Sequence, residues 1–217
     1  MGQAFLDTIN RQLLIRSVLV FYGSAADGEL AARAAEEVEK MWNAPGGKVM
    51  IRNELWSIKF AIKGEYTPDM EVDTIHRNLD PRFNFFRVEP FSRLHVSFVD
   101  EIGCNTGYFK FDNLTNNSTT AAHEYGHTLG LDHPRILDIR GKGQPGIMYP
   151  RGTLVDPPFQ WDPEALPGNP GGTLNPSRRK VLQSDMDQLN LDQLEFNREG
   201  IATVGDFTNL YHDRHYA

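Results

Sequence analysis

Eleven residues, His123 to His133, constrain this chain more than any other stretch: they read H-E-Y-G-H-T-L-G-L-D-H. His123 and His127 are four apart, which on a helix puts both imidazoles on one face, one turn apart. From that face both reach a single zinc ion, at about 2.0–2.1 Å per nitrogen. Glu124, beside the first His, is placed to act as a base on water without itself being a ligand. Gly130 can take positive φ, end the helix and turn the chain. His133 is then positioned to return as a third ligand, and Pro134 draws it away from helical geometry. Three neutral nitrogens with an open fourth position form the donor set of a catalytic zinc site rather than a closed structural one. A purely structural site would need no base beside its ligand.

The spacing H-E-x-x-H-x-x-G-x-x-H resembles the zinc signature of the metzincin clan of metallopeptidases. Gly146-Ile147-Met148-Tyr149-Pro150 places Met148 fifteen residues beyond His133 and is similar to that clan's Met-turn. The I-M-Y-P and G-H-T-L-G-L-D-H wordings are similar to those of matrixins, whereas Pro134 directly after the third His resembles the serralysins. The resemblance implies a zinc-dependent endopeptidase holding one Zn²⁺ on His123, His127 and His133. It implies Glu124 as general base and acid, and Met148 as an apolar floor beneath the ligands. It also implies a wall formed by Tyr149, Pro150, Arg151 and Gly152 beside the pocket for the residue after the cleaved bond, which is expected to be apolar. Tyr149 follows the methionine by one residue, as in matrixins, and is expected to be structural. The implied fold is α+β: a twisted, mostly parallel mixed sheet with two or three helices, and a smaller irregular C-terminal subdomain below the cleft. Calcium is compatible with the clan, but no EF-hand or glycine–aspartate repeat is present. Secretion also follows from the resemblance, yet no signal peptide is evident. Leu13 to Tyr22 is apolar but broken by Arg16, and it reads as a first strand.

The 217 residues suit one metallopeptidase domain. Its N-terminal part, about 1–133, would carry the sheet and zinc helix, and about 134–217 the Met-turn and a final helix. A formal charge of −7 argues against nucleic acid or an anionic membrane as partner. No run approaches 18 apolar residues, so no transmembrane segment is expected. The expected partner is a protein or peptide substrate, met by a monomer. Cys104 is the single cysteine and reads as a buried thiol. His76 and His95 read as structural, and a second metal site at His212 and His215 is disfavoured.

Along the chain, residues 12–22 predict a buried strand, and Glu29 to Asn43 an amphipathic helix stopped by Pro45-Gly46-Gly47. Val49 and Ile51 open a second strand. Trp56, Ile58, Phe60 and Ile62 alternate in the opposite frame, which predicts a bulge or tight hairpin near Arg52 to Glu54. Residues 64–92 lack a period and read as a long insertion packed on the sheet. Leu94 to Val99 and Gly107 to Asp112 read as strands, with part of 102–111 assigned to the cleft's edge. Asn116, Asn117 and Ser118 supply a cap for the zinc helix. Residues 145–176 hold eight prolines and five glycines and predict ordered irregular structure. Ser184 is expected to cap a last helix carrying Met186, Leu189 and Leu194, and 197–217 carries no signal.

Two rival functions use the same residues. One is a toxin-like or effector protease with a single narrow target. The other is a non-catalytic, zinc-stabilised module that binds extended peptides.

Overall fold

The computed structural model describes residues 1–115 and 119–213. Its centre is strand β2 (Gln12–Tyr22), whose β-branched and aromatic run pairs on both edges. One edge carries β4 (Glu54–Tyr66) in parallel over ten registered pairs, Gln12 to Phe21. The other edge is shared: β1 (Gly2–Asp7) runs antiparallel along residues 12–16, and β5 (Phe83–Glu89) runs parallel along 18–22. Beyond β5 lies parallel β7 (Thr106–Lys110), and beyond that the short antiparallel β6 (Phe98–Val99). At the far side β3 (Lys48–Ile51) forms a hairpin with β4. The order is therefore β3-β4-β2-β5-β7-β6, with a parallel core and antiparallel margins.

The expected turn between the second and third of these sequence blocks is a tight one. Arg52 and Asn53 both have positive φ (52° and 64°), the pairing of a two-residue hairpin whose twist matches its strands. Helix α1 (Gly28–Asn43) starts on Asp27, whose carboxylate accepts from the Leu30 N–H at 2.7 Å. Its apolar stripe, Leu30, Ala34, Val38 and Trp42, lies on the sheet. Trp42 is fully buried and donates its indole N–H to the Ala122 carbonyl at 3.1 Å, tying α1 to helix α3 (Thr120–Thr128). Tyr125 of α3 meets Trp42 edge-on and shares a 2.8 Å hydrogen bond with Ser17 of β2. The metal-motif helix thus rests on buried residues of α1 and β2. Truncating Trp42 to Ala would cost about 3–5 kcal/mol.

Several expectations are corrected. Residues 64–92 are not an insertion: β4 runs on to Tyr66, a short helix α2 (Val72–His76) follows, and Phe83, Phe85 and Phe86 belong to β5 inside the sheet. Only Phe98 and Val99 of the 94–99 stretch are strand. The edge strand is β6, not part of 102–111, because β7 is flanked on both sides. The tail is structured: β8 (Ile201–Val204) pairs antiparallel with β1. Helix α4 (Gln183–Asp187) starts from Leu182 rather than Ser184, and ends before Leu189 and Leu194. With α2 and α4 as five-residue turns, the described helices number four rather than two or three. The cap expected at 116–118 lies outside the described residues, as do His215 and the last residues of the chain.

From residue 134 to 182 the backbone is irregular but hydrogen-bonded, with a small core of Ile139, Val155 and Leu174 beneath Tyr149 and Phe159. Pairs such as Ile139 N–H to Leu154 O (2.9 Å) and Leu174 N–H to Thr153 O (2.9 Å) satisfy buried polar groups without strands. Among the described residues no helix is long and apolar enough to cross a membrane.

Candidate metal centre and its cavity

Helix α3 ends as its sequence dictates. Gly130 has φ 104°, its N–H bonds the His127 carbonyl at 3.0 Å, and the Leu131 N–H bonds the Gly126 carbonyl at 3.1 Å. That is a Schellman closure, which reverses the chain and brings His133 back over the helix. His123, His127 and His133 form the one group of potential metal ligands found among the described residues. The His133 Nε2 stands 3.1 Å from His123 Nε2 and 3.2 Å from His127 Nε2. Three nitrogens at about 2.0–2.1 Å from one tetrahedral ion would be separated by roughly 3.3 Å, so the spacing fits zinc.

The tautomers fit as well. His127 Nδ1 is 2.7 Å from the Leu131 carbonyl, and His123 Nδ1 is 2.8 Å from the Ile147 carbonyl. A carbonyl only accepts, so both Nδ1 atoms carry the proton and both Nε2 atoms present lone pairs to the cluster. Three converging ring nitrogens, at most one of them a donor, call for a cation between them. Burial keeps all three rings neutral and ready to ligate. Desolvation lowers His127 to about 4 and His123 well below its ordinary value, with the Arg179 charge adding to the latter. His133, the most exposed of the three, is lowered in the same direction by burial.

These rings open into a cavity of about 640 Å³ that Glu124 also lines. Burial lifts the Glu124 carboxyl to about 8, against the opposing pull of Arg179 and of a hydrogen bond from the Val99 backbone. Of the wall residues expected from sequence, Pro150, Arg151 and Gly152 line the cavity. Tyr149 instead packs against the small core of Ile139, Val155 and Leu174. Met148 is buried against α3, where a Cβ on Gly126 would collide with its sulfur. Asp185 of α4 holds the adjoining turn, accepting from the Leu182 N–H at 2.7 Å and the Ile147 N–H at 3.4 Å. Burial raises its carboxyl to about 6.

Arg179 gave no signal in the sequence. It is buried, lines the cavity, and ties the wall to the start of α3. Its Nε donates to Thr119 Oγ1 (3.1 Å) and its Nη1 to the Tyr149 carbonyl (3.1 Å). Nη1 also lies 2.9 Å from His123 Nδ1, a contact between two N–H groups once Nδ1 serves Ile147. Burial lowers Arg179 to about 10, with the Glu124 charge acting to keep it protonated. Thr119 adopts φ 59°, costly for a β-branched residue, and its hydroxyl donates to the Pro176 carbonyl at 2.8 Å. The edge segment from Val96 to Ile102 forms the facing rim. Cys104 is buried and unpaired by disulfide, as expected. His76 and His95 are exposed rather than structural core, and His212 is buried against Asp100 (Nε2 to Oδ1, 2.9 Å).

No protein-family profile matches the chain, and no curated protein matches it. Among solved structures it is similar to a zinc-dependent peptidase from Methanocorpusculum labreanum (strain Z), at 12% identity and a TM-score of 0.42. That likeness covers 80% of this chain and 100% of the other. At that score it assigns neither fold nor activity.

Proposed function

We propose that this chain is a zinc-dependent endopeptidase of metzincin type, acting as one catalytic domain. The observation that carries the reading is the convergence of three Nε2 atoms beside a buried carboxyl, Glu124, on an open cavity. His123, His127 and His133 would hold the ion. Zinc bound there acidifies water and polarises a peptide carbonyl.

The chain's own groups supply the rest. Glu124 takes the proton of the attacking water and passes it to the leaving amine. The carbonyls of Ile147 and Leu131 hold the ligand rings in one tautomer and orientation. Met148 supports the floor reading, because its sulfur fills the space beside Gly126 on the ligand-bearing helix. Pro150 to Gly152 would wall the pocket for the residue after the cleaved bond.

The test is a diverse peptide pool incubated with zinc-loaded wild type and with Glu124→Ala, and read by mass spectrometry. Cuts made only by wild type are expected. Equal cutting by Glu124→Ala would remove Glu124 from the mechanism. Binding of extended peptides by zinc-loaded wild type without any cut would instead favour the non-catalytic module.

A further inference from the structure

We propose that the recess between the first turn of α3 and the 150–152 wall accepts an acidic side chain of the substrate, read by Arg151 and Arg179. The proposal rests on the peptidase reading above and names its specificity.

Besides the histidines, six charged side chains line the cavity: Asp100, Glu101, Glu124, Asp132, Arg151 and Arg179. They are sorted along α3. At its C-terminal end stands Asp132, next to His133, and the loop carrying Asp100 and Glu101 is tied there by the Gly103 N–H to the His127 carbonyl at 2.7 Å. Asp100 already faces His212 and the Thr106 hydroxyl. At the N-terminal end both cations gather. Arg179 is anchored on Thr119 and on the Tyr149 carbonyl. Arg151 stands two residues past Tyr149, where its guanidinium donates to Asn113 Oδ1 at 3.2 Å. Both guanidinium-bearing side chains line the same cavity as Glu124.

Arg151 is exposed and makes no ion pair among the described residues, so a counter-charge can reach it from the cavity. A carboxylate entering the recess would supply it, through charge-assisted hydrogen bonds to a planar fork. An apolar side chain would forgo that gain. The chemistry therefore replaces the apolar residue expected from sequence with glutamate or aspartate after the cleaved bond.

The experiment starts from one sequence cut in the peptide pool and varies only the residue after the scissile bond: Glu, Gln, Leu or Lys. The Glu peptide should show a kcat/KM at least about ten-fold above Leu, with Lys the poorest, as for a hydrogen-bonded charge pair. Arg151→Glu, a surface change, should erase the Glu preference and raise the Lys peptide. Binding of the same four peptides to zinc-loaded Glu124→Ala, by fluorescence anisotropy, should follow the same order. Cutting with Leu at or above Glu, or an unchanged order in Arg151→Glu, overturns the acidic recess and leaves the peptidase intact. Failure of zinc-loaded wild type to cut any member of the starting pool overturns both.

Discussion

Helix α3 and the segment from Pro145 to Asp185 face each other across one cavity, and they are built in opposite ways. On α3 the three imidazole rings are spaced by helical periodicity and by a glycine that ends the helix, so eleven consecutive residues contain His123, Glu124, His127 and His133. The opposing segment has almost no regular structure. Its cavity-facing parts are fixed by distant ties: Ile147 O to His123, Asp185 to the Ile147 N–H, Arg179 to Thr119, and Met148 against Gly126. Local spacing sets the chemistry, and long-range packing sets the shape around it.

That contrast can be broken from the α3 side first. Glu124→Ala should lower peptidase turnover by roughly 10²–10⁴-fold while zinc content, measured by atomic emission, stays at one per chain. His127→Ala should instead lose stoichiometric zinc and activity together. Its circular dichroism should stay near wild type, because Trp42, Tyr125 and the sheet core do not depend on the ring.

The packing side should respond in stability rather than in chemistry. Gly126→Ala forces a Cβ against the Met148 sulfur and the Trp42 ring, an overpacking worth about 1–3 kcal/mol in urea unfolding. Met148→Ala opens a cavity of opposite sign, costing about 2–5 kcal/mol. The double variant should cost less than the sum, since each change removes the other's strain. Strict additivity would show that Met148 does not fill the space beside Gly126.

A pH-dependent effect is expected from Asp185. Its folded carboxyl is raised to about 6 from 3.8, so the folded state binds the proton more tightly than the unfolded chain. Its contribution is therefore most favourable below pH 4 and is lost as pH rises towards 6, by about 2–3 kcal/mol at most. Asp185→Asn should flatten that part of the stability–pH curve relative to wild type. A parallel curve would mean that the carboxyl is ionised in the fold at pH 5.

The same contrast explains what could be read from sequence. Strand β2, helix α1, the Arg52–Asn53 hairpin and the close of α3 at Gly130 each follow from periodicity or turn chemistry within a few residues. Strand β5 did not, because it is buried on both faces and Phe83, Phe85 and Phe86 show no alternation. Strand β8 was hidden for a different reason: Ile201 to Val204 is short, and it becomes a strand only by pairing with β1 at the other end of the chain. The cleft's edge was misplaced by one strand, since order within a sheet is a tertiary property. Arg179 is one basic residue among 22, and only its fold neighbours distinguish it.

The most direct measurement is a zinc titration of metal-stripped protein, following hydrolysis of one cleavable peptide beside Glu124→Ala. Activity should rise linearly and saturate at one zinc per chain, with Glu124→Ala binding the same equivalent and remaining inactive. Hydrolysis without zinc, or full zinc occupancy of the three histidines with no hydrolysis by wild type, would contradict a catalytic site built on His123, His127, His133 and Glu124.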